Sequence, residues 1–292
     1  MKLGKLGQNA YIFFIAPAII YLLIFTIYPS IYGIGLSFTN YHFAYAKWNF
    51  IGFSNYLRFM HWPAMPQVVM NTVVFVFTVV FFQVSLGLLI AIALNQSLKG
   101  TKVIRTISIL PWVLPGFIIG LLFREIFSSS SYGLINMLLA GFGIEPVNWL
   151  VDSKVAMFIM IISLIWKGTA LSIILELSGL QTIPKEFTDA AKIDGATAVQ
   201  RFFRITIPML RNTLLINLIM VCSGGFNHLD IPFILTGGGP GNSTEVLALT
   251  VYRQGFQVLD AGFASTVGTV ILLINIILTI VYLKILQNED TE

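Results

Sequence analysis

The chain has 292 residues, of which 57% are hydrophobic and only 10% are charged. A soluble globular domain of this composition would expose apolar side chains over most of its surface, so the composition indicates a polytopic membrane protein instead. The formal net charge is +4, and no basic run is interleaved with aromatic residues. A nucleic-acid partner therefore has no support.

Six apolar runs are long enough to cross a bilayer, whose hydrocarbon core of ~30 Å requires about 20 residues of helix. We predict an all-α membrane fold, a single domain over residues 1–292, with six transmembrane helices. The first run is too long for the apolar region of a signal peptide, so we expect an uncleaved first span. The spans are placed near residues 11–38, 69–95, 104–127, 155–177, 208–234 and 263–287.

The distribution of Lys and Arg predicts the orientation, because cytoplasmic loops carry the excess of positive charge. With both termini inside, the outer segments hold Lys47, Arg58, Arg124, Lys154 and Arg253, and Lys167 falls within the fourth span. The inner segments hold the larger set: Lys2, Lys5, Lys99, Lys102, Arg105, Lys185, Lys192, Arg201, Arg204, Arg211 and Lys284. We therefore expect a multi-pass protein of the cytoplasmic membrane with both termini cytoplasmic.

Catalytic and metal-binding residues are not expected in this chain. Cys222 is the only cysteine, which excludes an internal disulfide and a thiolate metal site. The three histidines are too scattered to suggest metal ligation. No pair of acids and no Ser/His pair falls at corresponding depths in the spans, so an intramembrane enzyme is disfavoured.

Polar residues and helix breakers within the third and fourth spans are the first candidate site, because both are costly in lipid unless they face a cavity or another helix. The segment from Trp112 to Gly116 includes Pro115, although such prolines also serve only to kink and pack helices. Lys167, followed by Gly168, lies too deep to reach water. It must face a cavity or a carboxylate, for which Asp230 is one candidate.

Residues 182–207 form a charged loop that shows helix punctuation rather than linker composition. Pro184 falls in the first turn of a helix, and Gly195 can end that helix in a left-handed conformation. Thr197 can cap a second short helix that runs to Ile205, and the fifth span begins at Pro208. An interfacial helix resting on lipid headgroups is the alternative. One face of the first helix carries Phe187, Ala190, Ala191 and Asp194.

The fifth span and the loop after it are unusually rich in glycine and polar residues. We expect a break at Ser223-Gly224-Gly225, followed by Asn227 and His228, whose side chains suit sugar hydroxyls beside an aromatic face. These residues also fit the outer water boundary, where they would simply end the helix. The outer loop over 235–245 fits a flexible connector as well.

The 182–207 loop resembles the E-A-A loop of ATP-binding-cassette importer permeases. The shared pattern is Asp189-Ala190-Ala191, Gly195 and then Ile205-Thr206-Ile207-Pro208, with aspartate where the family usually has glutamate. Three further segments are similar to the carbohydrate branch of that family: Ile51 to Tyr56, Tyr132 to Asn136, and the run Thr236-Gly237-Gly238-Gly239-Pro240 with Thr244.

The resemblance implies a permease subunit that binds no cofactor. ATP and Mg²⁺ would bind to a partner ATPase present in two copies, since the chain has no phosphate-binding loop of its own. The other implied partners are a second homologous permease, an extracytoplasmic solute-binding protein and a sugar substrate. The assembly would lie in a lipid bilayer. The membrane would belong to a bacterium or an archaeon.

The resemblance also assigns roles to residues of this chain. The residues implied to transmit motion from the ATPase are Phe187, Asp189, Ala190, Ala191, Asp194 and Gly195. The residues implied to face the sugar are Trp112, Gly116, Lys167, Gly168, Asn227 and His228, and contact with the binding protein is implied for Gly238, Gly239, Pro240 and Thr244. Because Lys167 is positively charged, an acidic or modified sugar is also a possible substrate. Glycerol phosphate esters or another polar solute are the alternative substrates, and a channel or membrane scaffold is the alternative class.

Overall fold

A computed structural model describes residues 10–45, 47–96 and 100–287. Lys2, Lys5 and Lys99, which contribute to the predicted orientation, lie outside these residues. The described residues form helices and turns, with one isolated antiparallel β-bridge between Thr39 and Phe50. The predicted all-α fold is confirmed.

The helices are, in chain order, α1 (Ala10–Leu22), α2 (Tyr28–Ser37), α3 (Ser54–Met60), α4 (Met65–Leu94), α5 (Thr101–Val113), α6 (Gly116–Ile126), α7 (Leu134–Ala140), α8 (Ser153–Thr182), α9 (Lys185–Ile193), α10 (Ala198–Arg201), α11 (Ile207–Phe226), α12 (Asp230–Leu235), α13 (Leu247–Tyr252) and α14 (Ala261–Gln287). π-Helical turns at Leu23–Ile27, Phe202–Thr206 and Arg253–Gln257 join or extend them. Among the described residues, five helical stretches are long and apolar enough to cross a membrane, and the pair α5 and α6 makes a sixth if it counts as one bent span.

The third apolar run is not one kinked helix. Helices α5 and α6 meet at an angle of 96°. Pro111 stays inside α5, whereas Leu114 and Pro115 are extended, with ψ values of 135° and 140°. A proline disfavours the helical conformation of the residue before it, so Pro115 forces the break at Leu114.

The fifth apolar run is broken at a different place from the one predicted. Ser223, Gly224 and Gly225 remain helical, and α11 ends only at Phe226. A Cβ on Gly225 would lie 3.3 Å from Val76, so this glycine serves close helix packing rather than a break. The chain leaves the helical path at Asn227, and α12 begins at Asp230.

No break separates the loop from the fifth span either. Helix α10 continues through the π-helical turn into α11, so that helical residues run without interruption from Ala198 to Phe226. Pro208 follows the π-helical turn, in which the N–H of Ile207 donates to the carbonyl of Phe202. The wider turn accommodates a proline ring that would clash with the preceding turn of a regular α-helix. The expected short helix ending at Ile205 was therefore wrong.

The chain divides into two compact units. The first comprises residues 1–62 and 250–270, and the second comprises residues 63–249 and 271–292. In the second unit α4, α8 and α11 pack against one another. Their apolar core is formed by Leu88, Ala91, Leu94, Ile173, Leu177, Leu180 and Leu210.

Two asparagines in the segments similar to the carbohydrate branch organise loop backbone. Buried Asn55 donates from Nδ2 to the carbonyls of Ser37 (3.0 Å) and Thr39 (2.8 Å) within the first unit. In the second unit Asn136 donates to the carbonyl of Val147, and its Oδ1 accepts from the indole N–H of Trp149 at 2.9 Å. An amide supplies donors and an acceptor at one point, which explains why asparagine suits such loops.

Candidate functional site

Two helix breaks in the second unit bring polar groups together. Gly116, at the start of α6, packs against α12 so closely that a Cβ there would lie 2.6 Å from Oδ2 of Asp230. His228 lies in the break just before α12, and α8, which carries Lys167, packs against both α6 and α12. The packing of these three helices thus brings Gly116 against Asp230, with His228 two residues before it in the chain and Lys167 on the third helix.

The groups at these breaks keep unused hydrogen-bonding capacity. Nε2 of His228 is buried and has no hydrogen-bond partner within the described residues. Over the same residues, Lys167 forms no ion pair with Asp230 or with any other acid, so the expected alternative of a simple Lys167–Asp230 pair is not observed. Buried polar groups without partners are uncommon in folded proteins, and a polar ligand is one means of satisfying them.

The other predicted substrate-facing residues are placed differently. Trp112 is about half exposed, at 48%. Asn227 is exposed and donates from Nδ2 to the carbonyl of Ser223 at 2.8 Å, which caps the end of α11. Gly168 lies against the side-chain amide of Gln83 on α4. The structure therefore does not bring Gly168 to the group around Asp230.

Gly168 makes room for a hydrogen bond between two helices. Nε2 of Gln83 donates to the carbonyl of Leu164 at 2.7 Å, and a Cβ on Gly168 would overlap the Gln83 amide. We expect Gly168→Ala to lower the free energy of unfolding by about 1–3 kcal/mol, because overpacking would displace the Gln83 amide and break this bond. The thermal unfolding midpoint of the purified protein in detergent measures the effect.

Gly224→Ala is the matched control for this prediction. Gly224 is also a helical glycine, but a Cβ there would meet no heavy atom within 4 Å. Equal midpoints for the two variants would contradict the packing role assigned to Gly168.

The 182–207 loop is a pair of helices joined by a glycine turn. Helix α9 begins after Pro184, which is its N-cap residue rather than part of the first turn. Gly195 has φ of +78°, and the N–H of Ala196 donates to the carbonyl of Ala191 at 2.9 Å, as expected for a glycine that ends a helix. Thr197 and Gln200 form the expected capping box at α10.

The face of α9 predicted to meet a partner is open in this chain. Phe187 is 54% exposed, Ala190 and Asp194 are exposed, and Ala191 is partly exposed. Asp189 instead pairs with Lys192 at 2.7 Å along the helix surface, and this hydrogen bond and charge lower the pKa of the Asp189 carboxyl below its ordinary value. The aspartate is thus held within its own helix.

The glycine-rich loop that follows α12 is ordered by two threonines. Oγ1 of Thr244 lies 2.7 Å both from Oγ1 of Thr236 and from the carbonyl of Gly239. Thr244 is fully buried, and Gly238 is buried too, whereas Gly239 and Pro240 are partly exposed. The Gly239-Pro240 peptide bond is cis. Within this loop, Gly239 and Pro240 are accessible to a partner, and the hydrogen bonds of Thr244 stabilise the loop conformation.

A buried polar network at the crossing of α4, α8 and α11 was not predicted. Glu176 is fully buried, and its Oε1 accepts from Nδ2 of Asn217 at 2.7 Å. Ser172 donates to Oδ1 of Asn217 at 3.2 Å. Oε2 of Glu176 has no partner among the described residues and lies against Gly87. The sequence does show an acidic residue in the middle of an apolar run, which indicates a buried polar site. The residue that accepts and donates hydrogen bonds in this network, Asn217, comes from another helix.

Comparison with protein families identifies the chain. Residues 83–288 match the model of the binding-protein-dependent transport system inner membrane component. The chain belongs to this family. It is therefore a multi-pass membrane protein that serves as a transport permease component, and the resemblance derived from the 182–207 loop is confirmed.

Individual relatives of this permease cover most of its length. The trehalose/maltose transport system permease protein MalF of Thermococcus litoralis is 38% identical over 236 residues, which are 81% of this chain and 79% of the relative. The sulfoquinovosyl glycerol transport system permease protein SmoG of Agrobacterium fabrum is 32% identical over 277 residues, 94% of this chain and 90% of the relative.

A solved structure shares the fold of this permease. One chain of a bacterial alginate ABC transporter, crystallised with an alginate pentasaccharide-bound periplasmic protein, superposes with a TM-score of 0.81. It is 23% identical, and the match covers 95% of this chain and 94% of that one. The predicted importer permease fold is confirmed by this likeness.

Proposed function

We propose that this permease is one of two nonidentical membrane subunits of an ATP-driven importer for sugars or oligosaccharides. The observation that carries the proposal is the contact between the two helix breaks, where Gly116 packs on Asp230 beside His228, and where α8 with Lys167 packs against both α6 and α12. The named substrates of the two relatives, trehalose/maltose and sulfoquinovosyl glycerol, support a carbohydrate.

The chemistry of this group suits a polyhydroxylated substrate. A carboxylate accepts hydrogen bonds from sugar hydroxyls, an ammonium group donates them, and a histidine ring does either, depending on its tautomer. The break at Leu114 and Pro115 leaves backbone groups at the end of α5 without helical partners, and such groups line cavities in transporters. Trp112, half exposed just before the break, supplies an aromatic face on which a sugar ring packs.

The side-chain charges at the site favour a neutral substrate, or one with a single charge that a side chain of opposite charge balances. Lys167 and Asp230 belong to helices that pack against each other, α8 and α12, so this region holds one basic and one acidic residue. Lys167 alone would favour an acidic sugar, whereas Asp230 opposes it. We therefore expect neutral oligosaccharides to be carried at least as well as acidic ones.

Energy would reach the site through the 182–207 loop. A partner ATPase, present in two copies and holding ATP and Mg²⁺, would receive the exposed face of α9 that includes Phe187, Ala190 and Asp194. Helical residues run from Ala198 to Phe226, and the short connection 227–229, which includes His228, joins this helix to α12 and Asp230. Movement of the loop as the ATPase dimer closes would thus be transmitted along α11 to the connection beside Asp230, which opens the site alternately to each side of the membrane.

The remaining partners follow from this arrangement. With both termini cytoplasmic, α9 faces the ATPase inside the cell and the loop with Gly239 and Pro240 faces the extracytoplasmic binding protein. A second homologous permease completes the pathway, and the assembly lies in a bacterial or archaeal cytoplasmic membrane.

Substrate-stimulated ATP hydrolysis by the assembled complex in lipid, with its binding protein present, tests the proposed function. We expect one neutral sugar or oligosaccharide to stimulate hydrolysis and uptake. Asp230→Asn should lower the uptake rate at least tenfold, because a hydrogen-bonded charge at a binding site contributes about 1.5–3 kcal/mol. The effect of Lys167→Met on acidic compared with neutral substrates reports the charge preference.

Two outcomes would contradict the proposal. If a glycerol phosphate ester stimulated hydrolysis and no sugar did, the substrate would be a glycerol phosphate ester instead of a sugar. Ion conduction by the chain alone, without ATPase subunits, would indicate a channel. Arg253→Gln is the control substitution, since Arg253 lies outside the second unit that holds the site.

A further inference from the structure

A cavity of about 380 Å³ lies between the coupling helix α9 and the neighbouring ends of the long helices. All of its lining residues belong to the second unit. Its walls come from the C-terminal ends of α4 and α8, from α9 and α10, and from the π-helical turn before α11. The lining residues are Ile92, Asn95, Gln96, Leu180, Ile183, Lys185, Thr188, Lys192, Ala198, Arg201, Phe202 and Thr206.

The cavity is positively charged. Lys185, Lys192 and Arg201 line it, and none of the lining residues is acidic. The two acids adjacent in sequence to lining residues, Glu186 and Asp189, are both exposed, and Asp189 is paired with Lys192. Arg201 donates from Nη1 to the carbonyl of Ala196, which fixes the guanidinium at the edge of the cavity. The charge of Lys185 has no acidic partner among the described residues.

The rest of the lining is divided by polarity. Amide and hydroxyl groups of Asn95, Gln96 and Thr188 provide hydrogen-bonding groups beside the cations. The opposite wall is apolar, where Ile92, Ile183 and Phe202 pack on the core of the α4, α8 and α11 bundle. A ligand that fits this lining has an anionic head and an adjoining apolar part.

The cavity lies on the opposite face of α9 from the surface proposed to meet the ATPase. Residues 185, 188 and 192 share one side of a helix of 3.6 residues per turn, and residues 187, 190 and 194 share the other. The first set lines the cavity, and the second set is exposed. A bound ligand would therefore support the coupling helix from beneath without competing with the ATPase.

We propose that this cavity binds the phosphate group of an anionic phospholipid from the cytoplasmic leaflet. Three cations suit a phosphate, and the apolar wall at the ends of α4 and α8 suits the start of the acyl chains. Placement in the cytoplasmic leaflet rests on the orientation given under the proposed function. The lipid would fix the position of α9 relative to α4 and α8, and it would thereby change the efficiency with which ATP hydrolysis is coupled to transport.

Lipid retention by the purified permease–ATPase complex tests this site. The detergent-solubilised complex is incubated with phosphatidylglycerol or phosphatidylcholine, and bound lipid is counted by native mass spectrometry. We expect preferential retention of phosphatidylglycerol. The double variant Lys185→Gln/Arg201→Gln should weaken retention about tenfold or more, because each basic residue near an anionic headgroup contributes a factor of about five.

Matched variants separate the site from general charge and from misfolding. Arg204→Gln removes a positive charge from the same loop, but Arg204 is exposed and does not line the cavity, so retention should be unchanged. Lys185→Gln alone leaves the Arg201 bond to Ala196 intact and should weaken retention about fivefold. Copurification of the ATPase subunits monitors the integrity of the loop.

Three results would overturn the proposal. They are equal retention of the two lipids by the unmodified complex, equal loss of lipid in Arg204→Gln and in the double variant, and occupation by millimolar inorganic phosphate without any preference for phosphatidylglycerol. The last result would assign the cavity to a soluble phosphate. Retention is measured without sugar or ATP, so its outcome is independent of whether a sugar stimulates hydrolysis.

Discussion

Replacing Gly195 with valine is expected to abolish most sugar-stimulated ATP hydrolysis and transport while the complex still assembles. Gly195 has φ of +78°, and a Cβ at this position would meet no heavy atom within 4 Å, so the obstacle is backbone conformation rather than crowding. The left-handed conformation costs an ordinary residue about 1–2 kcal/mol, and a β-branched residue is the least suited to it. The turn would reorganise, and α9 would lose its set direction relative to α10. Sugar-stimulated ATP hydrolysis and uptake, measured together in proteoliposomes, should both fall at least tenfold.

Gly195→Asn is the control, because asparagine adopts left-handed conformations more readily than valine does. It should retain most of the stimulated activity, and both variants should copurify with the ATPase. Wild-type coupling in Gly195→Val would show that the turn geometry is not required. Equal loss in both variants would implicate the absence of a side chain at this position rather than its backbone angle.

Gly87→Ala is expected to destabilise the crossing of α4 and α8. A Cβ on Gly87 would lie 2.5 Å from Cβ of Ser172 and 2.7 Å from Oε2 of Glu176. The helices would have to separate, and the bond between Glu176 and Asn217 would be strained or lost. Overpacking and the loss of a buried hydrogen bond together lower the free energy of unfolding by about 3 kcal/mol or more. The thermal unfolding midpoint and the yield of folded complex in detergent measure this change.

Two further variants make the Gly87 prediction specific. Gly268→Ala, in the helical α14, places a Cβ where no heavy atom lies within 4 Å, and it should leave the midpoint unchanged. Adding Ser172→Gly to Gly87→Ala removes one of the two clashing groups and should recover part of the loss. Additive destabilisation in the double variant would contradict direct contact between these residues.

The coupling loop shows how far local sequence rules reach. The glycine turn at Gly195 and the capping box of Thr197 and Gln200 were predicted from residue spacing, and both are present. These features involve residues close together in the chain, so their energetics are contained in the local sequence. The same rules misplaced the end of the second short helix at Ile205, because a π-helical turn lets the helix continue through Pro208.

The polar site required information from several helices. Helix breakers and polar residues in the third, fourth and fifth apolar runs were visible in the sequence, and Gly116, Lys167 and His228 were selected from them. Gly168 was selected for the same reason, yet it faces Gln83, since adjacent residues of a helix point about 100° apart. Only the packing of α6, α8 and α12 shows that Gly116 meets Asp230.

The sequence by itself determined the membrane class, the helical fold, and the glycine turn and helix cap of the 182–207 loop of this permease. Each follows from composition, from runs of apolar residues or from caps within a few positions of one another. The tertiary structure alone decided the 96° bend between α5 and α6, the polar group around Asp230, the Glu176–Asn217 network and the basic cavity beneath α9. These features depend on which faces of distant helices touch, and hydropathy along one chain does not encode the partner of each face.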